Sequence, residues 1–379
     1  MALQQAVFIF TSVIANRRID AKMGEVKEKK VVLLTKDTGW YGGHSGYYEQ
    51  LPRYLADQGA RVDLVKPRRS LTRRFVGKLY SYTRSWPERD QSLTFAELHF
   101  RRILSKSPHA VGHVLNFEEH YLLFSPGERV RKNTVATIHI PPSGWDALMR
   151  DCLPQLSKAI VLYRRDIKFL EGRIGAGKVR FIPHGVDTDF FRPGTGFAST
   201  PKAPSIVFSG QYLRNIEMLN RVIHKLRYLH PELRFDLIVP KHALANDGFR
   251  DLRSVIGIEW HQGVTDEQLL LLYQNAYLML LPMNESGANN SVVEALATGL
   301  PIVTTDVGGI RDYGGDSLFP VVGNNDDTAM LELVERYLKN PGWRQFIGNE
   351  QRKFALKELS WAITAKQHME VYQEISANE

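Results

Sequence analysis

Residues 31–65 read VVLLTKDTGWYGGHSGYYEQLPRYLADQGARVDLV and contain a complete strand–loop–helix–strand unit. The unbroken apolar run VVLLT is typical of a strand that is buried on both faces of a sheet. A glycine-rich loop, GWYGGHSG, separates this strand from a predicted helix that ends at Gly59. The segment RVDLV then predicts a second strand. Because a helix that joins two strands in this way makes them parallel, the unit predicts an α/β protein.

The same alternation continues along the chain. Further short apolar runs predict strands at residues 110–117, 135–140, 159–163 and 179–183, and then at 205–210, 234–239, 257–262, 276–282 and 300–306. Residues 192–205 lie between the two series and are dense in Pro, Gly, Ser and Thr, which is typical of a linker. The sequence therefore predicts two doubly wound parallel-sheet domains. Ligands of such sheets bind outside the carboxyl ends of the strands, so the cleft between the domains is the expected site.

Composition and charge agree with a two-domain globular protein. The chain has 379 residues and a net charge of +8, and its length suits two domains of about 150 residues or more. Residues 61–106 hold twelve Lys/Arg and four Asp/Glu, so this segment accounts for the whole excess. The single cysteine, Cys152, excludes an intramolecular disulfide and Cys-based metal sites, and a reducing, cytoplasmic location is expected. The N-terminal apolar run, AVFIFTSVIA, is too short to span a bilayer and is not preceded by a basic residue, so residues 1–29 are predicted to be a loosely ordered extension.

Basic and aromatic residues alternate from Lys66 to Trp86. Three interpretations are open: contact with an anionic membrane surface, binding of an acidic acceptor, or binding of nucleic acid. No nucleic-acid-binding module accompanies the stretch, so a nucleic-acid partner is not expected. A solvated basic loop remains the plain alternative.

Residues 284–301, NESGANNSVVEALATGLP, form the loop and helix that follow a predicted strand. The free N–H groups of such a helix start can receive a phosphate, and Asn289, Asn290 and Ser291 stand there. Glu294 could accept hydrogen bonds from the vicinal hydroxyls of a ribose. The alternative is a capping box, in which Glu294 bonds the backbone of Ser291. Glu285 could equally be a solvated loop acid.

Other candidates lie at corresponding turns. Gly42 and Gly43 belong to the first glycine-rich loop and could allow close backbone contact with a ligand, or could simply make a flexible turn. Gly210 begins a second such turn, and Arg214 beside it could clamp a phosphate. His139 ends a strand on the cleft side, where it could act on a substrate or be a structural histidine.

Three segments together resemble the retaining glycosyltransferases of family 4, which have the GT-B fold. They are PHGVDTDFFRP at 183–193, NNSVVEALATGLPIVTTDVGG at 289–309 and the first unit, beginning at Gly39. The resemblance implies transfer of a sugar from a nucleotide-sugar donor with retained anomeric configuration. It implies that Glu294 contacts the ribose, that the backbone near Asn290 and Ser291 holds the diphosphate, and that Arg214 is the basic phosphate clamp. The acceptor would be a glycan, a glycolipid or a small molecule.

The resemblance also places His139 near the donor sugar, and Gly42 and Gly43 close to the reacting centre. Family members usually require no metal, and neither a metal nor another cofactor is expected. The family has two glutamates eight positions apart, but Ser286 lies eight before Glu294, while Glu285 lies nine before. The resemblance implies a contact of the first glutamate with the donor sugar, so either Glu285 makes this catalytic contact through a shift of the loop or the contact is made otherwise. Gln211 stands where the family has an arginine. We expect attack by the acceptor on the same face of the sugar from which the nucleotide leaves.

The resemblance also implies how the chain is divided into domains, and it leaves two alternative functions open. A nucleotide-sugar epimerase of the same fold would convert the donor without an acceptor, and an inactive sugar-nucleotide-binding protein would bind it without turnover. The expected segments are an extension (1–29), an acceptor-side domain (30–192), a linker (193–204), a donor-binding domain (205–355) and a C-terminal helix that packs on the first domain (356–379). Peripheral contact with a membrane would be compatible with a cytoplasmic location.

Overall fold

The protein contains two six-stranded, entirely parallel sheets with helices on both faces, as a computed structural model shows. The predicted α/β class is thereby confirmed. The structure describes residues 29–36, 43–44, 46–84, 86–128, 132–194, 204–245 and 247–377. The predicted extension, apart from its last residue, and most of the predicted linker lie outside these residues.

The first sheet has the order β2-β1-β3-β4-β5-β6. Its strands are β1 (Lys29–Leu34), β2 (Ala60–Val65), β3 (Val111–Val114), β4 (Thr134–Ile138), β5 (Lys158–Val161) and β6 (Val179–Phe181). Residues 31–34 are wholly buried, as their unbroken apolar run predicts for a central strand. Lys29, the last residue of the predicted extension, pairs with Ala60 in the β1–β2 ladder.

The second sheet has the order β12-β11-β10-β7-β8-β9. Its strands are β7 (Ser205–Ser209), β8 (Arg234–Ile238), β9 (Ile258–His261), β10 (Leu278–Leu281), β11 (Ile302–Thr305) and β12 (Val321–Val322). In both sheets the strand order reverses beside the first strand, at β1/β3 and at β7/β10. The loops after these strands therefore diverge and leave a crevice at the carboxyl edge of each sheet.

The helices cover both faces of the sheets. They are α1 (Tyr47–Asp57), α2 (Leu71–Thr83), α3 (Gln91–Lys106), α4 (Phe117–His120), α5 (Ala147–Asp151), α6 (Ile167–Ile174), α7 (Ile216–Leu229), α8 (Asp266–Asn275), α9 (Asn290–Thr298), α10 (Asp327–Lys339), α11 (Pro341–Phe354) and α12 (Trp361–Ala377). Sequence analysis did not predict α2 and α3, although each has a local start signal. Ser70 and Asp90 cap them by accepting hydrogen bonds from the backbone of Arg73 and Ser92. Of the helices that the structure describes, none is both long and apolar enough to cross a bilayer.

The last helix returns to the first sheet. In α12, the Tyr372 hydroxyl lies 2.6 Å from Nδ1 of His113 on β3, and Glu374 pairs with Lys158 and Arg180 on β5 and β6. Trp361, at its start, packs so tightly on Gly185 that a Cβ there would lie 2.4 Å from the indole. The first domain is thus built from two separate parts of the chain.

Candidate functional site

The loop after β10 leads directly into α9. Asn289 caps this helix, because its side-chain oxygen accepts a hydrogen bond from the backbone N–H of Ser291 (3.1 Å). Asn290 is the first helical residue. The capping box considered for Ser291 and Glu294 is therefore wrong: the cap lies two residues earlier, which moves Glu294 beyond the position from which it could reach back.

Glu294 has a different partner. Its side chain is buried, and the hydroxyl of Tyr273 on α8 donates a hydrogen bond to its Oε2 (3.0 Å). Burial and the Glu294 charge raise the pKa of Tyr273 well above its ordinary value, so the phenol keeps its proton. A buried carboxyl group needs such a donor, and this one fixes its orientation. Sequence analysis missed Tyr273 because the helix pattern QLLLLYQN marks it as an ordinary core residue.

A tight turn after β7 brings Arg214 to the start of α9. Gly210 has a φ of +91°, and a Cβ at this position would lie 2.8 Å from the Arg214 guanidinium. Glycine is therefore required both by the backbone conformation and by the close approach of the arginine. Arg214 is not the exposed helix-start arginine that was the alternative, because its side chain is half-buried.

The side chain of Arg214 donates five hydrogen bonds to described residues, all to uncharged acceptors. Two go to Asn289 Oδ1 (3.2 Å) and Ser291 Oγ (3.5 Å) at the helix start, and the others go to Ser209 O, Tyr212 O and Met283 Sδ. Burial lowers its pKa to about 10, while Tyr273 and Glu294 oppose the shift, so the guanidinium stays charged at neutral pH. A fixed cation and a helix amino terminus thus meet at one place, a combination suited to an anion.

Glu285 is partly exposed, but it is not a free loop acid. Arg165, from the first domain, donates to both of its oxygens (3.1 and 3.0 Å). The next residue, Ser286, stands where the family has its first glutamate, and its side chain is buried. Its hydroxyl donates to the carbonyl of Gly287 (3.2 Å).

His139 lies at the end of β4, on the opposite wall of the cleft. Its Nε2–H donates to the carbonyl of Leu115 (2.7 Å), and burial lowers its pKa to about 3. The imidazole is therefore neutral at physiological pH, with its lone pair on Nδ1. Gly287 of the α9 loop comes so close that a Cβ there would lie 2.8 Å from the His139 carbonyl. The structure thus brings His139 and the α9 loop together.

The first glycine-rich loop approaches the second domain elsewhere. A Cβ on Gly43 (φ +96°) would lie 2.2 Å from the carboxylate of Asp266, the first residue of α8. The backbone N–H of His44 donates to the same carboxylate (2.7 Å). Gly43 therefore lies directly against Asp266 of the second domain. Gly42 lies outside the described residues.

Comparison with known proteins identifies the fold and the domain. Residues 203–340 match the family model described as glycosyl transferases group 1. A D-inositol 3-phosphate glycosyltransferase from Nocardiopsis dassonvillei is 26% identical over 62% of this chain and 58% of its own length. Sucrose-phosphate synthase from Thermosynechococcus elongatus superposes with a TM-score of 0.72 over 93% of this chain and 100% of its own, at 16% identity.

A third similar protein, Anabaena HepE, has been solved in complex with UDP-glucose. It superposes with a TM-score of 0.68 over 91% of this chain and 99% of its own, at 11% identity. The alignments with the first curated relatives span about half the length of those proteins.

The chain is a GT-B protein with a glycosyl transferases group 1 domain. The resemblance found in the sequence is thereby confirmed. In this GT-B protein, Gly210, Arg214 and the start of α9 all lie inside the matched range of 203–340.

One carboxyl group of the GT-B cleft was missed in the sequence. Oε1 of Glu118, which follows β3, accepts hydrogen bonds from the backbone N–H groups of His139 and Ile140 (both 2.7 Å). Its Oε2 is buried with no hydrogen-bond partner among the described residues. Burial raises the pKa of Glu118 to about 7. The signal was present, since an acid directly after a buried strand faces the cleft in a parallel sheet.

Among the described residues of the GT-B protein, one group has the spacing of metal ligands: Asp236, Glu259 and His261 on β8 and β9. His261 Nε2 lies 2.8 Å from Asp236, and the hydroxyl of Ser205, the first residue of β7, also bonds Asp236. The group lies on β8 and β9, to one side of the crevice at β7/β10. Independence from metal remains a prediction.

Proposed function

We propose that the protein transfers a sugar from a nucleotide-sugar donor to an acceptor, with retention of the anomeric configuration. The observation that carries the proposal is the convergence of the Arg214 guanidinium, Asn289 and Ser291 at the amino end of α9. The curated relatives are named as glycosyltransferases, and the structure of HepE contains UDP-glucose, which supports the same chemistry. The acceptor class is a glycan, a glycolipid or a small molecule.

The diphosphate of the donor would lie against the start of α9. When the sugar–phosphate bond breaks, negative charge develops on the phosphate oxygens. The N–H groups near Asn290 and Ser291 and the charged Arg214 would stabilise that charge, in a cleft that excludes water. Arg214 is already held by five hydrogen bonds to described residues, so little reorganisation would accompany the reaction.

Glu294 would accept hydrogen bonds from the two ribose hydroxyls of the donor. The Tyr273 hydroxyl occupies Oε2 of this carboxylate, which fixes the group in one orientation. A carboxylate that is buried and pre-oriented binds hydroxyl groups better than a mobile one, because less conformational entropy is lost on binding.

His139 would contact the donor sugar as a neutral group. Its Nε2 is used by Leu115, which leaves Nδ1 as an acceptor for a sugar hydroxyl. Since its pKa is about 3, it would not serve as a general acid at neutral pH. The departing phosphate would itself take the acceptor's proton, which is the same-face attack expected from the resemblance.

The test is a thermal-shift screen of the protein with UDP-, GDP-, ADP- and dTDP-sugars, run beside Glu294→Gln and a matched control, Glu332→Gln. Glu332 is an exposed acid on α10. We expect one nucleotide class to stabilise the wild type and the control but not Glu294→Gln. The absence of a shift with every donor would overturn the proposal.

The screen is followed by product analysis with the donor that binds. Transfer to an added acceptor supports the transferase. Conversion of the donor to its epimer without an acceptor would favour the epimerase. Binding without any turnover, over a panel of glycan, lipid and small-molecule acceptors, would favour the inactive binding protein.

We further propose that α2 contacts an anionic membrane surface while the enzyme works. Leu71, Phe75, Leu79 and Tyr82 are between 58% and 86% exposed and recur every three or four residues, so they form one outward stripe. Only Gly77 and Ser81 of this helix are buried.

The charges around the stripe complement anionic lipid. Arg68, Arg73, Arg74 and Lys78 lie on α2 or just before it. Basic residues near an anionic bilayer contribute roughly 1 kcal/mol each, and an apolar stripe can enter the interface between headgroups and acyl chains. A lipid-linked acceptor would be within reach of an enzyme that docks in this way.

Vesicle co-sedimentation at low salt tests the membrane contact. We expect binding to vesicles with phosphatidylglycerol but not to pure phosphatidylcholine, and loss of binding in the double variant Phe75→Ser, Leu79→Ser. The matched control is Tyr228→Ser, which removes an equally exposed aromatic residue from α7 in the other domain. No binding by the wild type, or dimerisation through α2 in its place, would refute the contact.

A further inference from the structure

The two domains of the enzyme meet along a seam formed by the residues after β5. The backbone N–H of Arg164 donates to Asp312 in the second domain (2.7 Å). The hydroxyl of Tyr313 donates to the carbonyl of Leu162 (2.8 Å) and accepts from the backbone N–H of His184 (3.0 Å). The two contacts of Tyr313 are buried, whereas the contact of Arg164 with Asp312 is exposed.

The Glu285–Arg165 ion pair lies at the open rim of the same seam. The two side chains come from different domains and are 27% and 41% exposed, respectively. Nη1 of Arg165 lies within 3.1 Å of both carboxylate oxygens. An ion pair across two domains can form only when the domains are close together, so it contributes to the closed state alone.

The backbone holds Glu285 on the seam side. Its Oε1 also accepts a hydrogen bond from the backbone N–H of Ser286 (2.9 Å). A Cβ added to Gly308 would lie only 2.2 Å from this oxygen. Ser286 is the residue eight positions before Glu294, and its side chain is buried. The two residues therefore have different partners: the Glu285 carboxylate bonds Arg165 of the first domain, whereas the Ser286 hydroxyl bonds the carbonyl of Gly287.

We propose that Glu285 and Arg165 form a latch that holds the two domains closed over the donor, and that Glu285 does not contact the donor sugar. The inference deepens the proposed function and rests on it for its role in turnover. Glu285 and Arg165 are positioning residues: by holding the cleft closed, they keep the α9 loop beside His139 and exclude water from the donor.

UDP and UDP-glucose distinguish a latch from a contact with the donor sugar, because UDP lacks the glucose residue that would be transferred. Dissociation constants for both are measured by calorimetry on Arg165→Ala, Glu285→Ala and the double variant. A latch weakens both ligands equally, by about three- to fivefold, as expected for a partly exposed ion pair. The double variant should lose no more than either single variant, because one interaction is removed in all three. Arg165→Lys, which keeps the charge, should recover part of the loss.

The opposite pattern refutes the latch. If Glu285 contacts the sugar, Glu285→Ala weakens UDP-glucose but not UDP, and Arg165→Ala weakens neither. The matched control is Arg311→Ala. Arg311 forms a similar bidentate pair with Asp306 (2.9 and 2.7 Å), but both residues belong to the second domain. This control should leave both affinities unchanged.

Small-angle X-ray scattering without nucleotide tests the latch independently of donor binding. We expect a larger radius of gyration for Arg165→Ala and Glu285→Ala than for the wild type and Arg311→Ala, and partial return with Arg165→Lys. Equal radii for all variants would refute the latch. If the wild type binds no nucleotide but these radii differ, the donor proposal fails and the latch between the domains stands.

Discussion

The two walls of the cleft are built from opposite kinds of chemistry. On the second-domain wall, a charged arginine, Arg214, and a carboxyl group, Glu294, meet at a helix start. On the first-domain wall, His139 is a neutral ring held by a backbone carbonyl, and Tyr47, His184 and His368 pack behind it. Under the proposed function, the second-domain wall would stabilise the charge of the leaving group, while the first-domain wall would present a neutral surface to the sugar.

Acid should lower the free energy of unfolding through the neutral histidines around the first-domain wall, and this is the largest effect that we expect. Burial lowers the pKa of His113 well below 6.5, those of His184 and His368 to about 4, and that of His139 to about 3. The unfolded chain therefore binds more protons below pH 6.5, and the free energy of unfolding decreases as pH falls from about 6.5 toward 4. Glu118, with a pKa of about 7, has the opposite sign and offsets one of these groups.

The net loss should be on the order of 4 kcal/mol between pH 7 and pH 5. Urea unfolding at the two pH values measures it. His368→Gln should reduce the difference, whereas His224→Gln, which changes an exposed ring on α7, should not. A free energy of unfolding that is flat over this range would mean that these rings titrate normally.

The charged wall should be most sensitive at Glu294. Glu294→Gln keeps the shape but removes the charge, and we expect about 10- to 100-fold weaker donor binding, because hydrogen bonds to charged groups are worth about 1.5–3 kcal/mol. Tyr273→Phe removes only the hydroxyl that orients the carboxylate, so its loss should be smaller. Calorimetric titration with the donor from the screen measures both, and an equal effect of the two variants would show that orientation alone matters.

The packing of Gly308 against the Ser286 loop, beside the seam, can be tested by steric crowding alone. Gly308 (φ +56°) and Gly263 (φ +60°) share a left-handed backbone, but only a Cβ at Gly308 would meet other atoms, 1.9 Å from the Ser286 carbonyl. Gly263→Ala should cost about 1 kcal/mol of stability from the backbone alone. Gly308→Ala should cost a further 1–3 kcal/mol or so, because the Ser286 loop must move. Equal losses of stability in thermal unfolding would show that the Ser286 loop moves aside at little cost.

The expected loss of donor affinity is smaller at Arg214 than at Glu294. Arg214→Lys keeps the charge but loses the planar group whose three nitrogens bond the turn and the start of α9 together, so the donor should bind about tenfold more weakly. Arg221→Lys, on α7 just after this turn, is the matched control, since Arg221 pairs bidentately with Asp327 on the surface. An unchanged affinity in Arg214→Lys would limit the role of Arg214 to its charge.

Most of the fold could be predicted because its signals are local. Buried parallel strands are continuous apolar runs, and the turn at Gly210 and the start of α9 are each readable from a few adjacent residues. Sequence analysis missed the helices α2 and α3 because it interpreted their stretch by its positive charge and not by the spacing of its apolar residues. The apolar residues of α2 recur at helical intervals, but most of them face outward.

The parts of the site that were missed depend on contacts between distant residues. Tyr273 and Glu294 are 21 positions apart, and Arg165 and Glu285 are 120 apart. No local pattern states which donor will satisfy a buried carboxyl group. The capping box failed for a related reason: Asn289 and Ser291 both suit a helix start, and tertiary packing selected Asn289.

The return of α12 to the first sheet has a consequence for how the protein is made. On the ribosome, β1 to β6 emerge before the second domain, yet Trp361, His368 and Tyr372, which complete their core, are made nearly 200 residues later than β6. At about 5–20 residues per second, that delay is on the order of ten seconds or more. During this time the second domain can fold, whereas the first exposes an unfinished apolar face. The nascent first domain is therefore the part of this protein that most needs a chaperone.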